Sequence, residues 1–479
     1  MVKKVIDLIK YWGIINLITK AYEKMILDPK RYDNIQYAST IETNENSFKN
    51  INQVLSKDAV EYNQVKLTTN ATILYLTHQF YPSHQGGTEI FTKNVAMGMQ
   101  RLGYRGIVVT LDYENKKEYT NNVGDIMYRT YKHESIDVIG FRYKKSPKGM
   151  LYKQVDNDNK EMHKFAEEII EKYKPTFVHC TYPQPMISFL TKCYEKKIPY
   201  IVTLTDFNIA CHYATKVNKR GEFCKCSNEG TKCQTECKTY IIDDFSKRYK
   251  NAEECLQRAA KVIVPSEFTA KVISNEFPGI RLWVIPHGIT EFKKTNLNTI
   301  SSTSEYAYIG KLSTIKGVYE LIEAFKEADM ENARLNIYGT GAKWYIKKLE
   351  KLIGDDNRIL LKGQIPHAQM DEVYGNTKVV VVPSLWYETY NYVAREAITS
   401  GCLVIGSNRG AIKEAITEET GWIVDMASKT ALIEALQASQ KRERLESSSR
   451  YQTIEEEILQ YQQLYAISID SNDIEERKI

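Results

Sequence analysis

Apolar and polar positions change rhythm several times along the chain. Val5, Leu8, Ile9, Trp12, Ile15, Ile18, Tyr22, Met25 and Ile26 recur at helical spacing and predict an amphipathic helix. Residues 33–66 turn rich in Asn, Ser, Thr and Gln and read as a polar connector. From residue 71, apolar runs of strand length alternate with helical patterns. Strands are predicted at 73–77, 106–110, 136–141, 176–180, 200–204, 261–264 and 282–285, with a helix at 88–102 behind a Gly86-Gly87 turn. A polar stretch at 293–304 reads as a linker. The alternation then restarts at 306–309, 335–338, 359–361, 379–382 and 403–406, and the tail from 430 is helical and ends acidic.

Strands alternating with helices build a parallel sheet covered on both faces. Two such runs predict an α/β protein of two doubly wound, Rossmann-like domains, with one cleft between the carboxyl ends of their strands. The expected divisions are an extension at 1–70, a first domain at 71–300, a second at 301–430, and terminal helices at 431–479. A chain of 479 residues exceeds what one core normally supports, which agrees.

Composition narrows the function classes. The 43% apolar and 26% charged fractions are those of a soluble globular protein. A net charge of +5 is too mild for the concentrated basic footprint of a nucleic-acid binder. No run approaches the ~18 consecutive apolar residues of a membrane span. The first residues lack a secretory signal's apolar core and cleavage site, so the expected location is the cytoplasm. The first helix carries Lys3, Lys4, Lys10, Lys20, Lys24, Lys30 and Arg31 beside its stripe. Two readings stand: residues 1–31 lie on an anionic inner-membrane face, or the stripe packs on the protein's own body.

The most informative chemistry lies at Glu388 and Glu396, eight positions apart after the apolar run 379–382. On one helix they would stand about 12 Å apart along its axis. A double-displacement sugar hydrolase needs its carboxyls roughly 5 Å apart. This pair instead suits two ends of an elongated ligand. Lys311 and Lys316 flank the turn after the 306–309 strand, where two ammonium groups and a helix N-terminus can converge on one anion. Thr389, Tyr390, Asn391 and Tyr392 precede the second glutamate and could aim backbone N–H groups at the same phosphates. In the first domain Gly86-Gly87-Thr88-Glu89 sits at the first strand-to-helix turn, where paired glycines allow close approach and Thr88 is expected to cap the helix.

Taken in order, Gly86-Gly87-Thr88-Glu89, Val264-Pro265-Ser266-Glu267-Phe268, Ile285-Pro286-His287-Gly288-Ile289, Gly310-Lys311-Leu312, Lys316-Gly317 and the stretch from Pro383 through Glu388 to Glu396 resemble one family. They are similar to the retaining, GT-B-fold glycosyltransferases of the family 4 type, related to bacterial cell-wall and polysaccharide enzymes. The resemblance covers roughly residues 71–430. It implies transfer of a sugar from a nucleoside diphosphate to an acceptor with retention at the anomeric carbon and without a catalytic metal. By that resemblance Glu396 holds the ribose hydroxyls, Glu388 meets the transferred sugar, and Lys311 and Lys316 hold the diphosphate. Gly310 closes the strand beneath them, Gly86 and Gly87 approach the donor from the other domain, and Ile365 packs near the base. Three positions depart from the family pattern. Lys311 stands where Arg is usual, which turns a bidentate contact into a point charge. Asn391 replaces a Gly, and Asn accepts left-handed backbone angles. Thr205 replaces a His and offers a hydrogen bond but no group titrating near neutrality, leaving acceptor-side work to Asp206.

Cys211, Cys224, Cys226, Cys233 and Cys237 crowd one polar segment that has little apolar surface to order itself. Zinc held by Cys211, Cys224, Cys233 and Cys237 would fix it, with Cys226 spare and His212 a substitute. Reduced free thiols and an iron–sulfur centre are the other readings. Nine cysteines, an odd number, argue against a disulfide framework, and Cys180, Cys193, Cys255 and Cys402 sit in apolar contexts as core fillers. Lys216, Lys219, Arg220, Lys225, Lys232 and Lys238 interleave with the cluster and suggest a basic lip beside the cleft. The expected partners are therefore a nucleoside-diphosphate sugar and a glycan or polyprenyl-phosphate-linked acceptor, with no nucleic acid. A nucleotide-sugar epimerase, or a binding scaffold without turnover, would use the same features.

Overall fold

The computed structural model describes residues 48–50, 71–112, 116–144, 159–218, 220–237, 244–290, 292, 304–366, 369–447 and 450–470. The predicted first helix and its membrane reading lie outside these residues. In chain order the first domain runs β1 (Phe48–Asn50), β2 (Thr72–Thr77), α1 (Gly87–Arg101), β3 (Arg105–Leu111), β4 (Asn121–Val123), β5 (Ile126–His133) and β6 (Ile136–Tyr143). It continues through α2 (Lys160–Tyr173), β7 (Phe177–Cys180), α3 (Ile187–Glu195), β8 (Tyr200–Thr203), α4 (Thr231–Glu236), α5 (Phe245–Arg258), β9 (Lys261–Val264), α6 (Glu267–Glu276) and β10 (Leu282–Val284).

The ten strands of this domain form one sheet in the order β1-β10-β9-β8-β7-β2-β3-β6-β5-β4. The central strands are parallel, and β4–β5–β6 close one edge as an antiparallel meander. Two features depart from the sequence reading. Phe48–Asn50 does not remain in a polar connector but pairs in parallel with β10 as the far edge strand. The meander's outer strands went unpredicted because β5 alternates buried and open positions weakly along Tyr-Arg-Thr-Tyr-Lys-His.

The second domain holds β11 (Ser304–Ile309), α7 (Val318–Glu327), β12 (Ala333–Tyr338), α8 (Lys343–Ile353), β13 (Ile359–Gly363), α9 (Met370–Asn376), β14 (Val379–Val382), α10 (Tyr392–Thr399), β15 (Leu403–Ser407), β16 (Gly421–Val424) and α11 (Lys429–Gln440). Its strand order β13-β12-β11-β14-β15-β16 is the doubly wound arrangement, 3-2-1-4-5-6 within the domain. The winding reverses between β11 and β14, where open α/β sheets take their ligands. The Val-rich β14 is buried throughout, as a central parallel strand must be.

The last helix, α12 (Ile454–Asp470), does not stay with the second domain. Its Ile458, Tyr461, Leu464 and Tyr465 complete an apolar cluster of the first domain with Tyr75, Phe91, Val95 and Met99. Tyr465 and Tyr461 bond the buried His179 and Thr203, with the Tyr465 hydroxyl 2.6 Å from His179 Nδ1. Glu457, on this helix, is buried. Its carboxylate takes the Gly288 N–H at 2.9 Å and lies 3.1 Å from His287 Nδ1.

Close contact between α12 and α1 depends on Gly98. A Cβ there would stand 2.1 Å from Ile458 Cδ1. Gly98→Ala is therefore expected to lower stability by about 1–3 kcal/mol, the usual overpacking range. Adding Ile458→Ala should recover part of that loss in the double variant. Chemical denaturation of the three proteins measures both effects.

Candidate active site

The turn from β11 to α7 and the loop from β14 to α10 lie side by side at the reversal of the second sheet. Gly317, at φ +69°, makes that approach possible: a Cβ there would sit 1.9 Å from the Pro383 carbonyl oxygen. Leu385 N–H donates to Ile315 O at 2.9 Å across the same seam. The register delivers Lys316 to Glu388. Lys316 Nζ stands 2.6 Å from Glu388 Oε1, and Ser384 Oγ donates to the same oxygen at 2.6 Å. Burial alone would push this carboxyl up, but the Lys316 charge and hydrogen bonding from Lys316, Ser384 and Trp386 outweigh it and hold Glu388 below the usual carboxylate range. Lys316 also lies 5.0 Å from the centre of the Trp386 ring.

The two glutamates do not share a helix. Glu388 lies in the loop, and only Glu396 is on α10. Asn391 separates them at φ +69°, accepting the Ala394 N–H at 2.9 Å through its side chain and so starting the helix. Glu396 is buried and accepts the Tyr374 hydroxyl at 2.8 Å. Burial raises its pKa to about 7 despite that bond. One carboxylate is thus held ionised and the other titrates near neutrality. Ile365 packs half-buried against the apolar cluster that contains Tyr374 and Ala394.

The expected convergence of two lysines is more divided than the sequence suggested. Lys316 faces a carboxylate, whereas exposed Lys311 acts across the cleft on His84, adding to burial in keeping that imidazole neutral. Gly310, at φ +149°, ends the strand immediately before Lys311.

The first domain meets this loop directly. A Cβ on Gly87 would be 3.6 Å from the Tyr392 ring, so the glycine turn lies beneath α10's first residue. Gly86, not Thr88, is the N-cap of α1, and it brings no side-chain cap. Thr88 instead hydrogen-bonds Thr205, with the two hydroxyls 2.7 Å apart. Thr205 also donates to Thr181 O at 3.1 Å and accepts Thr389 Oγ1 at its carbonyl at 2.8 Å. Thr389 O in turn accepts Ser266 at 2.6 Å and Thr269 at 3.0 Å. Tyr390 donates to His287 O at 2.5 Å, and Tyr392 stacks on the His287 ring. Threonine at 205 therefore serves as a seam between domains.

Sequence reasoning missed the titratable groups around Asp206. This side chain accepts the Asn208 N–H at 2.8 Å, and burial raises its pKa to about 7. His78 stacks on Tyr182 with ring centroids 3.7 Å apart and lies 3.9 Å from Glu89. Burial lowers the His78 pKa to about 3, leaving a neutral imidazole. The signal was position: His78, Tyr182 and Asp206 each follow closely on the carboxyl end of a parallel strand, β2, β7 and β8.

Buried ionic and polar contacts run through the cysteine segment. Lys216, expected on a basic lip, is buried with its ammonium 2.6 Å from Glu276. Ser227 N–H donates to the same carboxylate at 2.9 Å, and its hydroxyl also binds there. Arg248 donates to the carbonyls of Asn208 and Ile209. Arg220 pairs with Glu222, while Lys219 and Lys238 lie outside the described residues. Cys211 and Cys237 pack with Tyr213, and Cys224 and Cys233 are half-buried. Among the described residues, no group of three or more His, Cys, Asp or Glu side chains is placed to hold a metal ion. Burial, with Cys211, Cys237 and Cys224 close by, pushes the Cys233 thiol up, so the four thiols named for zinc lie near one another. Cys180, Cys193, Cys255 and Cys402 are all buried.

Two facing doubly wound domains, with the second sheet's reversal at the cleft, define the GT-B class of fold. Comparison agrees on both halves. The family described as Glycosyltransferase Family 4 matches residues 85–291, and Glycosyl transferases group 1 matches residues 290–455. The chain belongs to the GT-B glycosyltransferases of the family 4 type. A lipopolysaccharide 1,2-N-acetylglucosaminetransferase of Salmonella typhimurium is 29% identical over 33% of this chain and 47% of its own length, just under half of that relative. An uncharacterized glycosyltransferase of Methanocaldococcus jannaschii is 24% identical over 73% of this chain and 84% of its own. Anabaena HepE, solved with UDP and glucose, superposes with a TM-score of 0.55 at 15% identity, covering 85% of this chain and 99% of that one. No helix among the described residues is long and apolar enough to cross a membrane.

Removing the Lys216 partner would leave Glu276 charged and buried. Lys216→Met is expected to lower stability by about 3–5 kcal/mol. Thermal and chemical denaturation test this, and a change within error would show that the pair does not order the segment.

Proposed function

We propose that the protein transfers a sugar from a nucleoside-diphosphate sugar to a glycan or lipid-linked hydroxyl, retaining the anomeric configuration. The observation that carries this reading is the pair of glutamates on either side of the Asn391 turn, set opposite Gly87. Their environments differ in the sense two ends of one ligand require. Glu388, kept ionised beside Lys316, suits the hydroxyls of the transferred sugar. Glu396, deeper on α10 beside Ile365, suits the ribose. The diphosphate would lie between, near Lys311, Lys316 and the backbone N–H groups that open α10.

Breaking the sugar–phosphate bond builds charge on the departing oxygen, so cations there act mainly in the transition state. A carboxylate bound twice at one oxygen, as Glu388 is, makes a poor nucleophile or base. That favours attack by the acceptor on the face the diphosphate leaves, over double displacement through an enzyme carboxylate. On the acceptor side, Asp206 and the neutral His78 offer hydrogen bonds to hydroxyl groups. The Salmonella relative is by name a lipopolysaccharide 1,2-N-acetylglucosaminetransferase. We extend that class of acceptor to this chain as part of the proposal.

The test is turnover. Nucleotide-sugars that raise the melting temperature of the purified protein are carried into assays of diphosphate release with glycan acceptors. Release that depends on acceptor supports transfer; epimerised donor with no diphosphate released would replace it. In that assay Lys316→Ala is expected to lower kcat by roughly 10²-fold, more than it raises the donor KM. Lys316→Arg should restore part of the rate by keeping a cation beside Glu388. A pure KM effect would remove Lys316 from the leaving-group role.

A further inference from the structure

Tyr374 was no part of the sequence pattern, yet it is the hydroxyl that holds Glu396. It lies on α9, which follows β13 and ends just before β14, so the chain passes it beneath α10. Its side chain is fully buried, and its hydroxyl donates to Glu396 Oε2 at 2.8 Å. The residue is fixed from several directions. Arg444 Nη1 donates to its carbonyl at 2.9 Å, the Cys402 thiol reaches the same oxygen at 3.3 Å, and Phe292 lies against its ring at 5.1 Å. A hydroxyl held this firmly dictates where the carboxylate points.

We infer that Tyr374 is a positioning residue for donor binding: through its 2.8 Å bond to Oε2 it orients Glu396 so that Oε1 faces the ligand's ribose hydroxyls, and that bond favours the carboxylate over the neutral acid. This rests on the donor reading above. The chemistry is direct. A hydroxyl donated to a carboxylate stabilises the charged state, and charge-assisted bonds are the stronger ones. A protonated Glu396 would lose acceptor capacity toward a diol, so donor affinity should follow its ionisation.

The surroundings make this dependence readable. Burial and the Tyr374 bond are the influences on Glu396, and they oppose each other. The other titratable or charged groups nearby are Tyr392 and Arg395 on the same helix, Cys402 before β15, Arg444, and Glu457 of α12 beyond Tyr392. Arg395 turns its guanidinium to the carbonyls of Tyr390, Asn391 and Ala411, and Arg444 to those of Tyr374, Gly375 and Ser400. Neither cation is aimed at the Glu396 carboxyl.

The sign follows. Glu396 is ionised above about pH 7 and neutral below it. Donor affinity should therefore be full on the alkaline side and fall as pH drops through that value. Removing the Tyr374 hydroxyl removes the influence that lowers the pKa, so the fall moves to higher pH. Between the two midpoints the variant should bind up to about tenfold more weakly for each pH unit of displacement.

The experiment is calorimetric titration of UDP, ADP and GDP into wild type, Tyr374→Phe and Glu396→Gln from pH 6 to 9. The diphosphate's own ionisation is common to all three proteins and cancels in their affinity ratios. The expected result is a Tyr374→Phe to wild-type ratio that dips near and above neutrality and recovers at high pH. Glu396→Gln should bind weakly with no such pH dependence. A ratio that is constant across the range, whether unity or a uniform loss, would mean that Tyr374 acts only in packing and would overturn the inference. If wild type binds none of the three nucleotides at any pH, the donor reading itself fails, and that outcome is distinct from the first.

Discussion

The left-handed turn at Asn391 is the constraint on which the rest of the site depends. It stops the β14 loop from running straight into α10, and so places Glu388 outside the helix and Glu396 inside it. Both carboxylates are buried, so their partners rather than their access to solvent set them apart. The turn leaves Glu388 level with Lys316 and Ser384, where opposite charge holds it ionised. It sends Glu396 into an apolar bed, where a single tyrosine hydroxyl opposes the rise that burial imposes. Non-glycine residues pay in backbone strain for positive φ, and Asn pays least because its side chain bonds locally. Here that bond goes to the Ala394 N–H and simultaneously caps the helix.

The same loop closes the contact between domains. Thr389 joins the Thr205 carbonyl to the Ser266 and Thr269 hydroxyls, and Tyr390 and Tyr392 hold His287 from two sides. Glu414 adds to the seam by accepting the Phe268 N–H at 2.7 Å at the start of α6. Aromatic packing shares the seam with these polar contacts: Tyr387 stacks on Phe268 with ring centroids 5.9 Å apart and lies 4.3 Å from the Phe223 ring. Interfaces of that kind between domains allow relative motion. Any such movement would shift the loop carrying Tyr390 and Tyr392, so domain geometry and the ligand-facing backbone are mechanically linked.

Much of the fold was legible because parallel strands buried on both faces must be apolar runs, and their spacing exposes the two restarts of the pattern. What the sequence hid is physically specific. The strand at Phe48–Asn50 is three residues long, too short for periodicity to register. The α12 crossover is invisible because an apolar stripe does not say which core receives it, and only the clearance at Gly98 reveals the partner. Glu457 and Lys216 looked like solvated charges, yet each has a buried partner far away in sequence. The same blindness affected the site. Glu388, Glu396 and Lys316 could be named from motif order, but Tyr374 could not, since nothing local distinguishes it from the other 32 of the chain's 33 tyrosines.

The cysteine segment is held in part by buried polar groups far apart in sequence. A polar, glycine-bearing loop does need something besides apolar burial to order it, and four thiols are an obvious supplier. Beside the thiols stand a buried ion pair and a buried arginine. Lys216 and Glu276 satisfy each other, Ser227 adds two more donors to the same carboxylate, and Arg248 fixes the carbonyls just after Asp206. That last contact matters for chemistry, because Asn208 also supplies the N–H that Asp206 accepts. Arg248 therefore anchors, through one residue, both the start of the cysteine segment and the carboxyl on the acceptor side of the cleft. The segment is better understood as a brace behind Asp206 than as a separate module.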